Sequence, residues 1–207
     1  MHIGIDFDNT IACYEGVFHV AAVERGLISA DVPSSKNAIR DYLNAAGLKD
    51  EFTLLQGYVY GARMDLVAPY IGIVDFVTAA LDAGCQLSVI SHKTRHPIQG
   101  PAYDMHSAAR SFLERPLIIG CGLDEISHDR VFFENTKEAK ISRIKSENID
   151  VFIDDLPEIL TAPEFPQGVR ALLFDPGFYS LNGKHAAQCL EVYQTWAQIH
   201  DVLLVGK

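Results

Sequence analysis

The stretch Ile3-Gly4-Ile5-Asp6-Phe7-Asp8-Asn9-Thr10 constrains the fold more than any other part of the chain. Ile3, Ile5 and Phe7 alternate with Gly4, Asp6 and Asp8, which is the period of a short strand. Two carboxylates therefore leave the strand end on one side. Carboxylates two residues apart repel one another, and burying them costs several kcal/mol per ion unless a cation or a donor compensates. A strand-to-loop junction holding Asp6 and Asp8 beside Asn9 and Thr10 points to a hard metal ion or to proton chemistry. A polar turn capped by Asp and Asn is the plainer reading of the same residues.

Three later segments supply complementary groups. Leu87-Ser88-Val89-Ile90-Ser91 is an apolar run that ends in a hydroxyl, and Val151-Phe152-Ile153 ends in the adjacent acids Asp154-Asp155. Before the second run lies a helical segment with Lys137 and Lys140 near its start. Aspartates after a first strand, a serine after a second, a lysine, then an acidic pair after a later strand: this order resembles the haloacid dehalogenase superfamily of phosphohydrolases. Asp6 to Thr10 resembles its first motif, Ser91 its second, Lys140 its third and Asp154-Asp155 its fourth. The resemblance covers nearly the whole chain.

The resemblance implies a doubly wound, parallel, Rossmann-like α/β sheet with a small α-helical cap inserted after the first strand. Its strand order sets the first strand between the second and fourth, so Asp6, Ser91 and Asp155 converge at carboxyl ends, where open α/β sheets bind ligands. The implied reaction is hydrolysis of a small-molecule phosphate monoester through an aspartyl phosphate on Asp6, with Asp8 as acid and then base. Mg²⁺ is the implied cofactor, held by Asp6, the main-chain carbonyl of Asp8 and Asp155, with Asp154 acting through a water. Ser91, Lys140, Asn9 and His92 are the implied phosphate contacts, and Lys137 and Lys93 are alternatives for the lysine. Asp8 argues for phosphate rather than halide chemistry. A phosphomutase or phosphotransferase would share every one of these residues, and a non-catalytic phosphate- or Mg²⁺-binding module is the alternative outside enzymology.

Composition sets the frame. The chain has 207 residues, enough for one domain with a modest insertion and a substantial core. Its 17 Lys plus Arg against 27 Asp plus Glu give a net charge of -10, which opposes binding to nucleic acid or to an anionic membrane surface. The expected partners are small phosphate esters; oligomeric state is not legible. Cys13, Cys85, Cys121 and Cys189 form no Cys-x-x-Cys pair, so neither a zinc site nor a disulfide frame is expected. With Met1-His2 leading straight into the first strand and no apolar run of membrane-spanning length, a cytoplasmic location is expected.

The spacing predicts a helix from Gly16 to Arg25 burying Val17, Phe18, Ala21 and Ala22, and a second one capped by Ser34-Ser35 with Ile39, Tyr42, Leu43 and Ala46 inward. Glu51 to Leu55 then leads into a run read as irregular, Gln56 to Arg63. Residues 14–68 are much longer than an ordinary βα crossover and are read as the cap, with residues 1–13 and 69–207 as the α/β core. Tyr58, Tyr60 and Arg63 are the cap's candidate substrate contacts, able to stack on a ring or hold an anion. Further on, the pattern predicts a helix through Ile73, Val77, Ala80 and Leu81, another from Asp104, a strand at Arg130 to Glu134, and a helix capped by Thr136. Leu117 to Ile119 is ambiguous between strand and helix end, and Ala186 to Val205 is read as one or two packing helices.

Overall fold

In a computed structural model, residues 1–115, 123–177 and 190–205 are described. In chain order the strands are β1 (His2–Ile5), β2 (Ala12–Cys13), β3 (Ala68–Pro69), β4 (Gln86–His92), β5 (Val131–Glu134), β6 (Val151–Asp154), β7 (Arg170–Phe174) and β8 (Glu191–Tyr193). The α-helices are α1 (Val17–Glu24), α2 (Lys36–Ala45), α3 (Lys49–Ala62), α4 (Ile73–Asp82), α5 (Met105–Leu113), α6 (Lys137–Ser146), α7 (Pro157–Leu160) and α8 (Trp196–Leu204). The apolar run Leu117–Ile119 lies outside the described residues, as do Cys121 and Cys189.

Six strands form one parallel sheet in the order β5-β4-β1-β6-β7-β8, so this is an α/β fold with β1 at its centre. Every residue of β1 is buried, as a strand covered on both faces requires. Ile3 pairs in register with Leu87 and Val151, and Ile5 with Val89 and Ile153. Because β1 is flanked by β4 on one side and β6 on the other, the chain order reverses at β1. That reversal opens a crevice at the carboxyl ends of these three strands. One core cluster packs Ile90 with Ile141, Ile144, Ile149, Phe152, Ile159, Leu160 and Leu173. A second group of rings joins Phe76, Phe174 and Trp196, with centroids 5.0 and 5.3 Å from the indole.

The chain divides into two compact units. One comprises Met1–Ala12, Pro69–Lys93 and Leu113–Lys207 and contains the parallel sheet. The other comprises Cys13–Ala68 and Thr94–Phe112 and is helical, with α1 burying Val17, Phe18, Ala21 and Ala22. In α2 the Ser35 side chain accepts from the Ala38 amide at 3.2 Å, and Ile39 and Leu43 are buried. Tyr42 is 45% exposed and Ala46 is exposed too, so the inward face of α2 is narrower than the periodicity predicts.

Two other expectations are corrected. The run read as irregular is the second half of α3, which continues unbroken to Ala62. Its glycines are explained by packing within the helical unit: a Cβ on Gly57 would lie 2.6 Å from Pro97 Cβ, and one on Gly61 only 2.3 Å from Tyr103 Cβ. Glycine costs a helix about 1 kcal/mol relative to alanine, a loss offset by letting the Pro97–Tyr103 segment lie against α3. At the C-terminal end, the segment read as one or two helices, Ala186 to Val205, lies outside the described residues up to 189, and its described part contains the strand β8 before α8. Three residues are too few to display a period, and β8 is fixed by its partner instead: the Asp175 amide donates to the Tyr193 carbonyl at 2.8 Å, and Arg170 on β7 grips Glu191 through two bonds of 2.7 and 2.5 Å. Among the described residues no helix is long and apolar enough to cross a membrane.

Candidate active site

The end of β1 turns sharply. The Asp6 amide donates to the Ile153 carbonyl at 2.9 Å, continuing the β1–β6 ladder by one residue, after which Ile11 and Ala12 donate back to the Phe7 carbonyl at 3.1 and 2.9 Å. Asn9 sits at the bend with φ 58°, in the left-handed region that Asn tolerates better than most residues. The turn is closed by the Asn9 amide, which donates to the Ala12 carbonyl at 2.9 Å. Trp196 in α8 ties down the same loop by donating from its indole nitrogen to the Thr10 carbonyl at 3.2 Å. Asp6 is thereby fixed with only 4% of its surface exposed.

Lys140 meets Asp6 from α6. Thr136 caps that helix by accepting from the Ala139 amide at 3.1 Å, which sets Lys140 in the first turn on the buried side with Ile141 and Ile144. The Lys140 ammonium donates to Asp6 Oδ1 and to Asp154 Oδ2, each at 2.6 Å, and its side chain is 1% exposed. Burial alone would lower its pKa, but the Asp154 and Asp6 carboxylates outweigh that and hold it above the usual lysine range. Lys137 points elsewhere, pairing with Glu158 at 2.9 Å on the surface.

Asp154 closes β6 and is fully buried. Its Oδ1 accepts from the Leu156 amide at 3.0 Å while Oδ2 takes the Lys140 ammonium. Burial, with the Asp6 charge adding, pushes its carboxyl up to about 7, against the opposing pull of Lys140. Half-buried Asp155 is raised well above the carboxylate range by burial first and by the charges of Asp6 and Asp154 next. Carboxylate oxygens of Asp6, Asp154 and Asp155 all lie within 4.8 Å of one another.

A second ion pair stands beside the first. Lys93, one residue past β4, reaches Asp8 with its ammonium 2.8 and 3.0 Å from the two carboxylate oxygens. Ser91 is buried within β4, opposite Phe133 of β5. His92 Nε2 lies 3.2 Å from the Asn135 carbonyl, to which it donates in the corresponding tautomer. Lys93, an alternative phosphate ligand by sequence, pairs instead with Asp8, a contact the sequence pattern missed; the signal was a cationic residue directly after the strand and two places after its serine.

Counted when fully ionised, Asp6, Asp8, Asp154 and Asp155 carry four negative charges against two positive ones from Lys93 and Lys140. The surplus of two, the all-oxygen donor set and the raised carboxyls at the end of β6 together fit a hard divalent cation such as Mg²⁺.

Tyr58, Tyr60 and Arg63 lie in and just after α3, in the helical unit. Tyr60 accepts from the Lys36 ammonium at 2.8 Å and packs edge-on against Tyr14 and Phe18. Tyr58 lies under the Arg25 guanidinium, 5.0 Å away, and beside Tyr103. Arg63 pairs with Glu24 and Asp65.

No family model matches the sequence, and no curated protein does. Solved structures match along nearly the full length. A predicted phosphatase from Clostridium acetobutylicum is 16% identical with a TM-score of 0.59, covering 98% of this chain and 97% of its own. A HAD family hydrolase from Deinococcus radiodurans, solved with bound phosphate and sodium, is 14% identical with a TM-score of 0.58, covering 98% and 94%. An archaeal beta-phosphoglucomutase from a hyperthermophilic Pyrococcus is 13% identical with a TM-score of 0.57, covering 95% and 93%.

Proposed function

We propose that this chain, which has the fold of the haloacid dehalogenase-like hydrolases, is a Mg²⁺-dependent phosphohydrolase of small-molecule phosphate monoesters. The observation that carries the reading is the buried Lys140 ammonium held between Asp6 and Asp154 at the carboxyl ends of adjacent central strands. A phosphate ester repels an incoming carboxylate, so positive charge must be in place before Asp6 attacks. Lys140 is such a charge, and its two bonds also orient the Asp6 carboxylate.

Asp6, the main-chain carbonyl of Asp8 and Asp155, with Asp154 through a water, would hold Mg²⁺, which when bound would supply the remaining positive charge against the phosphate oxygens. Ser91 donates its hydroxyl to the phosphoryl group, and Asn9 and His92 flank it. As an Asp6 oxygen bonds to phosphorus, the bond to the leaving oxygen breaks and that oxygen takes the Asp8 proton. Asp8, now a carboxylate, takes a proton from the water whose oxygen displaces Asp6 from phosphorus. Transfer to a second hydroxyl instead of water would use the same groups, and the likeness to a phosphoglucomutase keeps that reaction as the second reading.

The helical unit is assigned as the cap, residues 14–68 forming its body and Tyr58, Tyr60 and Arg63 its substrate contacts. Chain order supports this: the unit's two segments begin at Cys13 and Thr94, shortly after Thr10 and directly after Lys93. A cytoplasmic setting fits the free thiols of Cys13 and Cys85.

The test is hydrolysis of 4-nitrophenyl phosphate and a panel of sugar phosphates and nucleoside monophosphates, with Mg²⁺ and with chelator, by the native chain and by Asp6→Asn. Mg²⁺-dependent turnover that vanishes in a folded Asp6→Asn supports the proposal. Unchanged turnover in that variant refutes it.

A further inference from the structure

Lys93 is buried like Lys140, though slightly less, yet the reaction above gives it no task. Its side chain is 3% exposed, and its ammonium stands 5.5 Å over the Phe7 ring. Few lysines are buried so far without a partner that repays the desolvation. One partner here is Asp8, whose side chain is 23% exposed and which follows the strand end in a loop. A carboxylate in that position has three staggered χ1 wells open to it unless something selects one.

We propose that Lys93 is a positioning residue for Asp8, fixing the carboxyl group in the rotamer from which it meets the leaving oxygen. The chain then carries one lysine for the nucleophile and a second for the acid. This rests on the phosphohydrolase reading.

The support beneath Lys93 is rigid. Its amide donates to the Glu134 carbonyl at 2.9 Å, extending the β4–β5 ladder past His92. The Glu134 carboxylate is itself held by Arg143 at 2.9 Å, and the Arg143 guanidinium lies 4.5 Å over the Phe132 ring. On the other side, Phe7 is fully buried between the two aspartates and meets Phe133 edge-on at 5.9 Å. Both ends of the Lys93–Asp8 contact are thus anchored to the sheet, so the ion pair transmits the sheet's order to the acid. Ser91 and Lys93 lie two residues apart at the end of one strand, which lets a single element address the phosphate and the acid.

The experiment measures kcat/KM for 4-nitrophenyl phosphate, whose leaving group departs without a proton, and for an alkyl phosphate of the best metabolite class, whose leaving alkoxide needs one. Both are measured with the native chain, Lys93→Met, Lys93→Arg and Asp8→Asn, with folding checked by circular dichroism. Lys93→Met is expected to lower the alkyl-to-aryl ratio of kcat/KM by roughly 10- to 100-fold, part of the roughly 10²- to 10⁴-fold that general acid catalysis contributes. Lys93→Arg keeps a donor to Asp8 and is expected to return the ratio to within about threefold of native. In an Asp8→Asn background the Lys93→Met change is expected to leave the ratio where Asp8→Asn alone puts it, since coupled residues do not add. Should Lys93→Met not fold, Lys93→Gln removes the charge and takes its place. Equal losses on both esters, or no rescue by Arg, overturn the role of Lys93 while the hydrolase reading stands. A native chain that hydrolyses no ester overturns both.

Discussion

The Lys140 ammonium lies 2.6 Å from Asp154 Oδ2 at a point where the lysine side chain is 1% exposed and the aspartate 0%. The same nitrogen is 2.6 Å from Asp6 Oδ1. Removing the buried cation from this triad leaves two buried carboxylates without the positive charge that they share.

Lys140→Met should therefore destabilise the fold by about 3–5 kcal/mol as well as abolish turnover. Urea midpoints near neutral pH, with chelator present, measure it. A loss below about 1 kcal/mol would mean that the two carboxylates find other partners.

Stability without a divalent cation should fall as pH rises from about 4 to about 7. Burial pushes the Asp154 carboxyl up to about 7 from its ordinary 3.8, so in that window the folded chain binds a proton that the unfolded chain has released. The folded state binds more protons, so its advantage shrinks with rising pH. Below the window both states are protonated and the cost is absent; above it the cost is complete, at roughly 1.4 kcal/mol for each unit of separation. Mg²⁺, which binds the ionised form, should flatten the slope, and Asp154→Asn should reduce it. Urea unfolding at about pH 4.5 and 7.5 decides the matter, and a chelated native chain that gains stability across that interval contradicts the assignment.

Gly61→Ala should destabilise the chain by about 1–3 kcal/mol. Helix propensity alone predicts the opposite sign, a gain of roughly 1 kcal/mol. The reason is the 2.3 Å that would separate the new Cβ from Tyr103 Cβ, which forces the Pro97–Tyr103 segment off α3. Denaturant unfolding gives the sign, and faster proteolytic nicking within residues 94–103 locates the effect.

Sequence by itself determined what depends on near neighbours. Alternation through Ile3, Ile5 and Phe7 defined β1, Ser35 and Thr136 marked two helix starts through their own hydroxyls, and the acids after β1 and at the end of β6 and Ser91 near the end of β4 were legible as chemistry at strand ends. These features are set within three or four residues, where the chain's own periodicity and capping act. Tertiary structure alone decided the rest. Gln56 to Arg63 carries two glycines whose place in α3 is explained only by Pro97 and Tyr103 against them, and Glu191–Tyr193 has no strand signal apart from its pairing with β7. Lys140 and Asp6 stand 134 residues apart and Lys93 and Asp8 85 apart. Which lysine meets which carboxylate is fixed by strand order and register, and those are set by the burial of whole strands rather than by any local signal.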